Sequence, residues 1–108
     1  MTPRQSAIVM GTLLAATIMP VAAQAQSFNC RTATRPDEVM ICQSDRLSAL
    51  DEWMSSTYFR LRNSLYGRER NALESSQRAW LRSRIGCGRD FRCVERHYVR
   101  RIAELSRY

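Results

Sequence analysis

Apolar positions recur at spacings of three and four along most of the chain, and the helices they predict account for nearly everything after residue 35. Leu47, Leu50, Met54, Tyr58, Leu61 and Leu65 form one such stripe, which predicts a helix from about Asp45 to Tyr66 with one buried face. Ser44 is placed to cap its start, and Gly67 reads as its C-terminal cap. Leu73, Gln77, Trp80 and Arg84 share the next stripe, flanked by Leu81 and Ile85, and predict a helix from about Arg68 to Gly86. Phe91, Val94, Tyr98, Ile102 and Leu105 mark a last helix capped by Asp90, with arginines expected to cover its remaining faces. A shorter helix is predicted over Pro36 to Gln43, where proline suits a first turn and Asp37 and Glu38 face the positive end of the helix dipole. No segment alternates with the period of two that a strand requires. The expected fold is therefore all-α: a small bundle of about four helices built on an antiparallel hairpin.

The tight turn near Gly67 and Arg68 sets a register for that hairpin. Facing residues should have position numbers of constant sum, here about 135. This opposes Asp51 to Arg84 and Tyr58 to Gln77, and brings Met54 near Trp80 and Leu61 near Leu73. A forked carboxylate–guanidinium pair is expected at Asp51–Arg84, and a hydroxyl–amide bond at Tyr58–Gln77.

The first 25 residues break this pattern. Arg4 precedes an uncharged apolar run from Ala7 to Met19, too short to span a bilayer, and Ala23-Gln24-Ala25 has the small-x-small form of a cleavage site. Residues 1–25 thus read as a signal peptide and residues 26–108 as one mature domain, periplasmic or secreted, with no transmembrane helix after cleavage. No cysteine directly follows the apolar run, so there is no site for lipid attachment.

All four cysteines lie in the mature part. An even number in a small exported domain reads as two disulfides. Local pairing, Cys30 with Cys42 and Cys87 with Cys93, is favoured, the two other pairings staying open. Neither spacing is that of a redox CxxC or of a zinc site, and no metal or cofactor is expected.

The chain has 17 basic residues, all arginine, and 10 acidic ones; removing Arg4 with the leader leaves +6. Such a charge suits an anionic partner, an envelope glycan or lipid or an acidic cleft. No nucleic-acid-binding motif is present. No catalytic constellation appears either: His97 stands beside the last apolar stripe among arginines, and the acidic neighbours Asp37–Glu38 and Asp51–Glu52 diverge around their helices. An enzyme is not expected. Trp80 and Trp53 are expected in the core; if exposed, Trp53 would be a partner contact.

Several motifs together resemble a known family. They are FNC at Phe28 to Cys30, EVMIC at Glu38 to Cys42, LSALDEWMSSTY from Leu47 to Tyr58, QRAWLRSRIGCG from Gln77 to Gly88, then Cys93 and YVRRIAEL from Tyr98 to Leu105. In this order they resemble the lysozyme inhibitor LprI N-terminal domain family across nearly the whole mature chain. The resemblance implies a small helical binding protein whose partner is a lysozyme-type glycosidase. Such an enzyme carries two carboxylates in a cleft, and an arginine on a protruding turn would suit it. Arg68 and Arg70 in one turn and Arg89 in another are the expected plugs. The alternative is an arginine-rich module that binds anionic envelope glycan or lipid without inhibiting anything.

Overall fold

A computed structural model describes residue 11 and residues 27–108 of the chain. The leader expected over residues 1–25, residue 11 apart, and its cleavage point before Gln26 lie outside the described residues. Four helices form: α1 Pro36–Gln43, α2 Asp45–Ser64, α3 Gly67–Ile85 and α4 Phe91–Leu105. Among the described residues there is no strand. The all-α reading therefore holds, with every helix within two residues of its expected bounds.

Local chemistry accounts for the helix ends. The Ser44 hydroxyl accepts from the Leu47 amide at 3.1 Å and starts α2, and the Asp90 carboxylate accepts from the Cys93 amide at 3.1 Å and starts α4. The turn between α2 and α3 differs in one respect. Gly67 does not cap α2; that helix ends at Ser64, Leu65 and Tyr66 are extended, and Gly67 opens α3 at φ +54°. Extending the backbone at Leu65 lets its side chain pack against the core, and the reversal is then made where no Cβ opposes it.

The core joins Ile41 of α1, Leu47, Leu50 and Met54 of α2, Leu73 and Trp80 of α3, and Val94, Tyr98, Ile102 and Leu105 of α4. Here the hairpin expectation is modified. α2 packs chiefly on α4 and α1, and only sparingly on α3. Near the turn the two hairpin arms keep the expected register, with Arg62 bonded to Glu74 at 3.1 Å. Further along, the Tyr98 ring of α4 packs edge-on against Trp80, and its hydroxyl lies between the arms.

The two disulfides are the local ones, Cys30–Cys42 and Cys87–Cys93, with Cα separations of 5.8 and 5.6 Å. The first ties the segment before α1 to the end of that helix. The second clamps the loop between α3 and α4.

A buried polar network and the candidate contact surface

Arg84 is 1% exposed, and the whole middle of the molecule is arranged around it. Its Nε donates to Asp37 at 3.1 Å and its Nη1 to the Tyr98 hydroxyl at 3.0 Å. Tyr98 donates in turn to Asp51 at 2.8 Å. Ser27 closes the other side of Asp51, its amide and its hydroxyl each donating at 2.7 Å. The rings of Phe28, Trp80 and Tyr98 lie 5.4 to 6.0 Å from the guanidinium carbon and exclude water from it. Burial pushes the Tyr98 phenol well above its ordinary value, so it stays protonated and can donate to Asp51 while accepting from Arg84.

The expected Asp51–Arg84 pair is thus present, but in another form. The two charged heads stand 4.0 Å apart, and Tyr98 bridges them in place of a fork. The direct carboxylate partner of Arg84 is Asp37, expected only to favour the start of α1. Its position carried a signal: Asp37 lies one turn before buried Ile41 on the same face of α1.

The expected bond between Tyr58 and Gln77 does not form. Gln77 accepts from Arg101 Nε at 2.9 Å and offers its amide nitrogen to the Met54 sulfur at 3.2 Å. Tyr58 is half-buried and packs edge-on against Phe59. The cause is Arg101, which is 4% exposed and reaches Gln77, Ser76 and Glu104 from α4. Arginines therefore do not all cover the outer faces of α4. Val94, Tyr98, Arg101 and Leu105 fall at spacings of four, three and four, so the stripe itself held this clue.

His97 also differs from expectation, because it does sit beside cysteines. Its Nδ1 is 3.3 and 3.8 Å from the Cys87 and Cys93 sulfurs and bonds the Cys93 carbonyl at 2.8 Å, while Nε2 meets the Ser83 hydroxyl at 2.8 Å. The i, i+4 spacing of Cys93 and His97 foretold this. With both sulfurs joined to each other, this cluster offers no thiolate to a metal.

Because Asp51, Trp80 and Arg84 are buried, a protein partner cannot touch them; such contact falls to what the helices leave outside. Trp53 is 60% exposed rather than part of the core, which corrects the expectation for it. Tyr66, expected at the end of a helix, is the most exposed large hydrophobic side chain among the described residues, at 82%. It stands in the α2–α3 link beside Gly67 and Arg68. Arg68 is exposed and forms no ion pair among the described residues, whereas Arg70 is bonded to Glu74 at 3.2 Å. Arg89 is exposed in the loop after Gly88, next to Pro36, Val39, Met40 and Gln43 of α1. These candidates do not gather at one place. Trp53 lies about 20 Å down α2 from the link, and Arg89 is at the far end of α3, about 30 Å away.

The chain is 30% identical over 84 residues to the lipoprotein LprI of Mycobacterium bovis and to those of two Mycobacterium tuberculosis strains. The aligned region covers 75% of this chain and 41% of each relative, so the chain spans about two-fifths of their length. No solved structure matches it. The family described as lysozyme inhibitor LprI matches residues 30–105, from the first cysteine to the end of α4, and the chain belongs to that family.

Proposed function

We propose that this chain is an exported helical binding protein that inhibits a lysozyme-type glycosidase through the turn between α2 and α3. The observation that carries this reading is the make-up of that turn. Tyr66 is 82% exposed, Gly67 holds the reversal at φ +54°, and Arg68 follows with no carboxylate partner among the described residues. An exposed tyrosine offers large contact area at small entropic cost, and a free guanidinium suits a cleft that holds two carboxylates. Arg70 supports the turn from beneath through Glu74 rather than reaching outward. Arg89 and Trp53 are secondary contacts, too distant to enter the same cleft.

Membership of an inhibitor family supports a binding role over an enzymatic one. Two disulfides support a place outside the cytoplasm, and the apolar run near the start supplies a route there by a cleaved signal peptide. Among the described residues no helix is long and apolar enough to cross a membrane.

A turbidity assay of bacterial lysis tests the proposal. Purified oxidised chain is titrated into lysozymes of more than one type. Saturable, dose-dependent inhibition of at least one is expected. Unchanged lysis at large molar excess for all of them would reject it and bring forward binding to anionic envelope glycan or lipid.

A further inference from the structure

Away from the turn, a cavity of about 340 Å³ opens between α2 and α3. Tyr58, which makes no bond to Gln77, and Gln77 itself both line it. Two polar groups in its walls are under-committed. Ser55 is 6% exposed, yet its hydroxyl oxygen is the one buried side-chain polar atom among the described residues that has no hydrogen-bond partner. Gln77, also 6% exposed, must turn its oxygen toward Arg101, because a guanidinium can only donate. Its nitrogen is left with the Met54 thioether, a weak acceptor, and with a second N–H unused. Leaving buried donors so poorly met costs stability, and each such group calls for an explanation.

The other walls are of two kinds. Phe28, Tyr58, Phe59 and Leu81 are apolar. Of the exposed or half-exposed arginines lining the cavity, Arg35 and Arg62 are paired with Glu38 and Glu74, but Arg78 meets only the Ser75 hydroxyl. The cavity therefore presents donors at its buried end, an apolar middle and one uncommitted guanidinium.

We propose that this cavity binds a small organic carboxylate that carries a second carbonyl group, an N-acylated acid being the simplest form. Its acyl oxygen accepts from Ser55 and Gln77, its body lies among the aromatic rings, and its carboxylate pairs with Arg78. The volume is at the lower end of the range for small-molecule sites, which admits one sugar or one amino-acid residue. An acidic N-acetylated sugar and an acylated amino acid share this chemistry. The inference does not rest on lysozyme inhibition, since it uses a different face of the molecule.

Amide shift mapping on the intact, oxidised chain tests it, with N-acetylmuramic acid and N-acetylphenylalanine as probes and N-acetylglucosamine as the probe that lacks a carboxylate. Saturable shifts around Ser55, Gln77 and Arg78 are expected with at least one acid, and the stronger of the two identifies the source. N-acetylglucosamine should bind about tenfold more weakly. Arg78→Ala, on the surface, should weaken the acid about tenfold and leave N-acetylglucosamine unaffected. Leu81→Trp should fill the cavity and abolish the shifts while the remaining spectrum stays dispersed. No saturable shift with either acid up to about 10 mM, or equal binding by the Arg78→Ala protein, would overturn the proposal.

Discussion

Arg84 is a cation with almost no contact with water, held by Asp37 and Tyr98 and facing Asp51. Desolvation cancels much of what such a cluster gains, so its worth shows when one member is lost. Arg84→Ala leaves two carboxylates buried without their cation. We expect it to cost about 3–5 kcal/mol, measured by urea unfolding, which is a large share of the stability of so small a domain. Tyr98 gives the network a pH dependence. Burial raises its folded-state value above the ordinary one near 10, so the folded chain holds the phenolic proton after the unfolded chain has released it. Stability is then complete below about pH 10 and falls as pH rises beyond it. Tyr98→Phe should flatten that alkaline limb in a series of denaturant titrations, at the cost of leaving Asp51 one donor short.

At the scale of the helices, the stripes of spacing three and four place α2, α3 and α4, Pro36 and its acidic neighbours place α1, and Ser44 and Asp90 cap α2 and α4 as their chemistry requires. Ser44→Ala should cost about 1 kcal/mol, read as a lowered midpoint of thermal unfolding. Gly67→Ala should cost about the same for a different reason: space is open around it, but φ +54° is unfavourable for any side chain. The register was legible near the turn, where Arg62 meets Glu74, and at Asp51 opposite Arg84. It was less so between them, because a constant-sum rule treats two helices alone, and here α4 competes for the same faces. Tyr98 and Arg101 each insert a polar head that a two-helix argument has no place for. Trp53 was misplaced for a related reason: it neighbours buried Met54 in sequence, but one step along a helix turns a side chain by about 100°. Tyr66 is exposed because α2 ends at Ser64 and Gly67 opens α3 instead of capping α2.

At the scale of the whole molecule, two short disulfide loops compensate for a small core. The Cys30–Cys42 loop spans 12 residues and the Cys87–Cys93 loop 6. Chain entropy assigns about 3 and about 2 kcal/mol to them, so replacing the first pair by serine should lower the unfolding midpoint more than replacing the second. Net charge acts at longer range. Arginines outnumber acids across residues 26–108, so approach to a basic lysozyme is repulsive and approach to an acidic one attractive. Association rates measured by stopped flow should therefore rise with added salt for the former and fall for the latter, while dissociation changes little.

The most direct test of the account is a lysis-inhibition titration of the wild-type chain beside a Tyr66→Ala, Arg68→Ala double variant. Both residues are exposed and outside the core, so the two proteins should melt alike. Saturable inhibition by the wild type, with at least about tenfold more of the variant needed for the same effect, is the predicted result. Equal inhibition by the two proteins would contradict the role given to the α2–α3 turn, and no inhibition by the wild type would contradict the function itself.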